Sequence, residues 1–227
     1  MSQELLITPI ASIRTEFPSK FGIPRQAGLA EDLRGKIIFE PAFRVDEALR
    51  GLEDFSHIWL IWGFSENRDR AWTPTVRPPR LGGNTRLGVF ATRSPFRPNG
   101  LGLSCVRLLG LQKEAGLGTC LLVAGADLMD GTPIYDIKPY LPYADCRTDA
   151  AGGFAKALPE RLSVRIPPEL EEKIPVEKRA ALREVLAQDP RPSYQEDPER
   201  VYGMSFAGLE IRFRVENRRL LVVAADR

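Results

Sequence analysis

Between residues 36 and 138 this chain passes through one strand-like segment after another with almost no helix between them. KIIFE (36–40), HIWLIWGF (57–64), RLGVFAT (86–92), LGLSCVRLLGL (101–111), GTCLLVAGADL (118–128) and TPIYDIK (132–138) are short, rich in branched and aromatic residues, and separated by turn clusters. One short helix interrupts them around residues 45–51, with Asp46 and Glu47 in its first turn and Gly51 past its end. Strands at this spacing do not leave room for a helix after each, so the pattern predicts a mainly β, closed or nearly closed architecture and argues against a doubly wound Rossmann sheet. LLITPIASIR (5–14), which contains Pro9, reads as an edge strand.

Apolar periodicity is lost over RTDAAGGFAKA. A linker is therefore expected at 148–159, between a first domain at 1–147 and a second at 160–227. The second begins with the strand RLSVRI and continues into a helix in which Leu182, Val185 and Leu186 share one face before Pro190 stops it. VYGMSFAG, LEIRFRVE and RRLLVVAA then give strands, the last two joined tightly around Glu216 and Asn217. Such a small α+β module lies near the lower size limit for independent stability and is expected to lean on the first domain.

Composition enters where it limits chemistry. The chain has one histidine, His57, and three cysteines, Cys105, Cys120 and Cys146, with no CxxC pair among them. Neither a metal site nor a disulfide scaffold is indicated, and the thiols are expected to be reduced. Reactions that need several imidazoles are excluded, and His57, set in FSHIWLIWGF, reads better as a satisfied core histidine than as an acid or base. No apolar run reaches the roughly 18 to 20 residues that cross a bilayer, and the first residues do not read as a leader, so a cytoplasmic protein is expected.

Charge is unevenly distributed although the net value is only +2. From Arg68 to Arg107 eight arginines face one acid, Asp69, which leaves a local +7; residues 108–150 carry six acids against three bases, a local −3. Within the basic block, TRSPFRPNGLGLS sets Arg93 and Arg97 around Phe96 on a loop stiffened by Pro95 and Pro98. A rigid cationic loop with a flat ring suits an anion or a stacked base, and equally reads as a turn with solvated arginines. RPPRLGGNTR adds Arg77, Arg80 and Arg86, and its glycine spacing matches no dinucleotide fingerprint. In DLMDGTPIYDIKPYLPYAD the carboxylates have the chemistry to bind ribose hydroxyls or an amine, or to accept a proton; an Asp-Gly hairpin before a polar strand is the alternative. FGIPRQ, with Pro24, Arg25 and Gln26, is a weak signal by itself.

Taken in order, FGIPRQAGL, RGLEDFSHIWL, TPTVRPPRLGGNTRLGVFATRSPFRPNGLGLS, DGTPIYDIKPYLPYAD and EVLAQDPRPSY resemble the TrmO (TsaA-like) family over nearly the full length. The resemblance implies a single-sheeted β-barrel methyltransferase domain with a small α+β domain behind it. It implies S-adenosylmethionine as cofactor, and methylation of N6 of threonylcarbamoyl-adenosine at tRNA nucleotide 37. A homodimer with the cofactor near the subunit interface is also implied. Carried over by motif, cofactor contacts fall at Pro24, Arg25, Gln26, Phe64, Ser65, Arg93, Leu103, Leu128, Met129, Asp130 and Gly131. Phe64 and Ser65 depart from the relatives' side chains, so backbone contacts are expected there.

Methyl transfer from a sulfonium asks the protein mainly for alignment, without metal or histidine. Asp130 and Asp136 are the candidate proton acceptors. Arg77, Arg80, Arg86 and Arg97 are expected to neutralise anticodon-loop phosphates while Phe96 or Tyr140 stacks on an unpaired base. The segment Gln188, Asp189, Pro190, Arg191, Pro192 and Tyr194 reads as a clamp on tRNA, a closure of the pocket, or a helix stop and turn. A nonenzymatic RNA-binding β-barrel and a small-molecule methyltransferase on the same scaffold stay open as alternatives.

Overall fold

The computed structural model describes residues 5–67, 71–192 and 197–227. Strands β1 (Ala11–Arg14), β2 (Arg34–Phe39) and β3 (His57–Gly63) come first, followed by a two-stranded ribbon of β4 (Thr75–Val76) and β5 (Leu87–Gly88). Then come β6 (Leu101–Glu114), β7 (Gly118–Ala124) and β8 (Pro133–Pro139). Apart from the ribbon these strands pair antiparallel in the order β1-β2-β7-β6-β3-β8, and β8 pairs back onto β1, so the ring closes into a barrel. Closure leaves no free edge for another chain to pair with. Alternation fills the interior: Ile58, Leu60 and Trp62 of β3 point inward with Ile13, Ile37, Val106, Leu121 and Ile134. A ring this narrow holds side chains only, which leaves the barrel ends and their loops for ligands.

After the short helix α1 (Pro142–Asp145) the chain forms β9 (Ser163–Arg165), α2 (Pro168–Glu171), α3 (Val176–Ala187), β10 (Tyr202–Phe206), β11 (Leu209–Glu216) and β12 (Arg219–Asp226). These strands make one sheet in the order β10-β11-β12-β9, with β9 parallel to β12. The strict alternation of β11 and the apolar stripe Ala181, Leu182, Val185 and Leu186 of α3 build its core. Phe17, Ala30 and Leu33, from the segment between β1 and β2, are buried in that same core. Phe17 meets Phe206 edge-on, with ring centroids 5.5 Å apart. Polar ties hold the same segment: Ala207 N donates to Glu16 O at 3.2 Å, Arg161 donates to Leu29 O at 3.0 Å, and Asp32 N donates to Glu184 Oε2 at 2.8 Å. A sheet of this size lacks enough apolar surface of its own, and the β1–β2 segment supplies it.

Several expected elements differ. The strand at 86–92 shrinks to β5 and a 3-10 turn, Val89–Ala91, because among the described residues it pairs only with Thr75–Val76, and the Thr92 hydroxyl closes the turn on Val89 O at 2.8 Å. The helix expected at 45–51 is a single 3-10 turn, Asp46–Leu49, followed after Gly51 by a second, Leu52–Asp54, since so short a run does not repay helix nucleation. The strand expected at an edge begins only at Ala11 and is no edge, since β1 pairs with both β2 and β8, and β7 ends at Ala124 because Gly125 turns left-handed, φ 75°. Pro175 divides the long helix into α2 and α3, as proline disfavours helical geometry in the residue before it. The β11–β12 turn centres one residue later than expected, on Asn217 and Arg218, both with positive φ. His57 is half-buried, with Nδ1 2.9 Å from Ser56 Oγ, rather than enclosed in the core. The three cysteines are free. Among the described residues no helix is long and apolar enough to cross a membrane, and no acid, His and Cys cluster is arranged for a metal.

Candidate functional site

Antiparallel pairing of Trp62 with Gly102 and of Gly63 with Leu101 brings the end of β3 and the start of β6 to one end of the barrel. A cavity of about 360 Å³ opens there. Its floor is aromatic: Trp62 and Phe64 meet edge-on at 4.5 Å. Pro24, Arg25 and Gln26 form one wall, Thr92, Arg93 and Arg97 another, and Leu101, Gly102, Leu103 and Asp127 complete the lining.

Two loops distant in sequence are joined across this cavity. Arg93 donates through Nη1 to the Gln26 side-chain oxygen Oε1, and Gln26 Nε2 donates to the Arg25 backbone carbonyl. The Pro24–Gln26 wall is set by a close backbone contact just behind it. Gly28 N donates to Gly125 O at 2.8 Å, Gly125 N donates to Leu33 O at 2.9 Å, and a Cβ on Gly125 would stand 3.2 Å from Gly28 Cα. Both glycines have positive φ, so side chains there would be strained and would push the wall outward. Arg97 turns inward on its own loop and donates to Thr92 O at 2.8 Å, stiffening the bend that presents Arg93.

Asp127 was not singled out as a site residue by the sequence. The β6–β7 register pairs Arg107 with Ala124, and continuing it three residues sets Asp127 opposite Ser104. The Ser104 hydroxyl donates to Asp127 Oδ1 at 2.5 Å and accepts from Trp62 Nε1 at 2.9 Å, so the floor, a barrel strand and the carboxylate form one chain. Burial raises the Asp127 pKa above the ordinary carboxylate value. Opposing that rise are the Ser104 hydrogen bond, backbone N–H groups of Asp127 and Ala27, and the charge of Arg93. The only legible signal was its place in an acid-rich segment; its partner lies 23 residues away.

Of the expected cofactor residues, Pro24, Arg25, Gln26, Phe64, Arg93 and Leu103 come together in this lining. Ser65, Leu128, Met129, Asp130 and Gly131 lie outside it. Leu128 is fully buried in the barrel core, and Asp130 takes Thr15 N at 3.0 Å and Arg14 Nη1 at 3.2 Å. Asp136 pairs with Lys138 at 2.8 Å and lines a separate apolar groove with Phe39 and Phe43. Tyr140 packs against His57 and Trp59, ring centroids 6.1 and 5.9 Å away, rather than facing the cavity. Phe96 is half-buried, and its carbonyl accepts from Thr73 N at 3.2 Å. Arg77 and Arg86 are exposed and stand across the ribbon, one register step beyond the Val76–Leu87 pair, with Arg86 donating to Thr75 Oγ1 at 2.8 Å. The Arg80 side chain, Tyr194, and Arg68, Asp69 and Arg70 lie outside the described residues.

The C-terminal motif reaches the same wall. Arg191 makes a bidentate ion pair with Asp189, at 2.7 and 2.8 Å, and its carbonyl accepts from Arg25 at 3.4 Å. Three guanidiniums, one carboxylate and an aromatic floor suit a small ligand that carries a flat ring together with charges of both signs.

Comparison with known proteins gives a consistent picture. Residues 12–146 match the family described as tRNA-methyltransferase O N-terminal domain, and residues 159–227 match the TrmO C-terminal domain. An Escherichia coli K12 protein named tRNA (adenine(37)-N6)-methyltransferase is 41% identical over 228 residues, covering 96% of each chain. A Pseudomonas aeruginosa protein whose name refers to an S-adenosylmethionine-dependent methyltransferase is 45% identical over 215 residues, 91% of each. The crystal structure of TrmO from Pseudomonas aeruginosa superposes with a TM-score of 0.80 at 36% identity, covering 99% of both chains.

Proposed function

Since this chain belongs to the TrmO family, we propose that it transfers a methyl group from S-adenosylmethionine to N6 of adenine 37 in tRNA, with the cavity at the barrel end as its cofactor site. The observation that carries this reading is the convergence of Pro24–Gln26, Phe64, Arg93 and Leu103 on one cavity from four separate stretches of chain. The residues fit the cofactor. Its adenine would find the Trp62–Phe64 floor, its carboxylate the Arg93 or Arg25 guanidinium, and its ammonium the Gln26 side-chain oxygen. When bound, that group supplies a methyl already activated for displacement; the chain aligns the acceptor nitrogen and keeps water from the reacting atoms.

The finer reading is that the acceptor N6 carries a threonylcarbamoyl group and that the enzyme acts as a cytoplasmic homodimer. Exposed apolar side chains on the lobe beside the cavity, Trp72 at 50% and Phe90 at 74%, support a covering partner. Arg77 and Arg86, adjacent across the ribbon, are suited to neutralise two neighbouring phosphates of the anticodon loop.

Calorimetry with S-adenosylmethionine, followed by tritiated methyl transfer to tRNA with and without threonylcarbamoyl-adenosine, tests this. Binding is expected, with transfer confined to the modified tRNA. Failure to bind cofactor would leave an RNA-binding barrel, and binding without transfer to either tRNA a small-molecule enzyme. Arg93→Ala removes a charged donor and the tie to Gln26, worth about 1.5–3 kcal/mol, so the cofactor Kd should rise roughly 10- to 100-fold in the same titration. Arg77→Ala with Arg86→Ala should leave that Kd unchanged. Two lost phosphate contacts flatten the slope of log tRNA affinity against log salt by about 1.4.

A further inference from the structure

An N6 bearing a carbonyl substituent shares its lone pair with that carbonyl, so it attacks well only as its proton leaves. Among the described residues lining the cavity, Asp127 carries the one carboxylate, and the other ionisable groups there are arginines. His57 is at the opposite end of β3 from the cavity, five residues or about 17 Å from Trp62. Asp130 and Asp136 are turned to Arg14 and Lys138 outside the lining. The Asp127 carboxylate accepts the Ser104 hydroxyl at Oδ1.

We infer that Asp127 is the general base for this transfer, held in position by Ser104 and Trp62. The inference rests on the proposal that cofactor and target nitrogen share this cavity. The N6–H bond breaks and its proton passes to an Asp127 oxygen. The nitrogen pair forms the new bond to the methyl carbon, and the carbon–sulfur pair remains on the departing sulfur.

The surroundings suit such a base. Burial makes the carboxylate more basic than an exposed one. Arg93, from the loop facing it, the Ser104 hydroxyl of β6 and the Ala27 N–H of the opposite wall favour its charged form against that burial; Arg25 and Arg97 are the other charges lining the cavity. Activity should therefore fall as pH drops through a value above the ordinary carboxylate range. Removing the Ser104 hydrogen bond, which favours the charged form, should move that limb to still higher pH.

The test combines cofactor calorimetry with single-turnover transfer to threonylcarbamoyl-modified tRNA across pH. Asp127→Asn keeps shape and acceptor capacity, and is expected to bind cofactor within threefold of wild type while transfer slows about 10²- to 10⁴-fold and the acid limb disappears. An undiminished rate in this variant overturns the inference, and so does a rate loss matched by lost cofactor affinity, which would make Asp127 a cofactor ligand. Absence of cofactor heat in the wild type overturns the cavity assignment itself. If circular dichroism shows Asp127→Asn unfolded, Ser104→Ala decides: an acid limb moved upward supports the base, and an unmoved limb overturns it.

Discussion

Gly102→Ala should lose cofactor binding altogether under conditions that saturate the wild type, although it adds a single methyl group. A Cβ at this position would stand 2.3 Å from Trp62 Cε2 and 2.4 Å from Cζ2, far inside contact distance. The backbone has no freedom to retreat, because Gly102 pairs directly with Trp62 in the β3–β6 ladder of a closed ring. The indole must swing away instead, which breaks its hydrogen bond to Ser104 and raises the floor of the cavity. Overpacking costs about 1–3 kcal/mol and an orphaned buried donor about the same again, so the melting temperature should drop by roughly 5–15 °C. Thermal unfolding and calorimetry read the two effects separately. Trp62→Leu added to Gly102→Ala should recover part of the stability without the binding, since the smaller side chain clears the new methyl but provides no aromatic floor.

Phe206→Ala is the second large effect, and it acts from the other side of the molecule. Phe206 is fully buried and packs edge-on against Phe17. Truncation to alanine should cost about 3–5 kcal/mol, or roughly 6–20 °C in melting temperature. The informative part is the cofactor Kd, because Phe206 does not line the cavity. Phe17, Ala30 and Leu33 bracket the Pro24–Gln26 wall and are held in the C-terminal core, so loosening that core should loosen the wall. Cofactor affinity measured well below the melting temperature should weaken several-fold. An unchanged Kd would mean that the Gly28–Gly125 contact alone positions the wall.

These expectations show which parts of the protein were readable residue by residue. The alternation of β3, β6 and β11 is a local property, and the strands appeared where period-two runs of branched and aromatic residues stood. Errors clustered where a partner was missing or the backbone turned left-handed: the 86–92 segment found only two residues to pair with, and Gly125 ended β7 early. At the site, the FGIPRQ and SPFRP loops stood out by their arginines and prolines, and the cavity takes Pro24, Arg25 and Gln26 from the first and Arg97 from the second. Asp130 and Asp136, the most conspicuous acids, turn to other partners, whereas Asp127 occupies the lining.

The amino-acid sequence by itself determined the mainly β class, the family, and a chain with a single histidine, because residue periodicity and residue type are properties of short stretches of chain. Tertiary structure decided which carboxylate faces the cavity and that the segment flanking the Pro24–Gln26 wall is buried in the C-terminal core. Ser104 and Asp127 meet through the β6–β7 register, and Phe17 and Phe206 meet through packing across 189 residues. Such meetings depend on strand register and apolar burial summed over the whole chain, which no local pattern encodes.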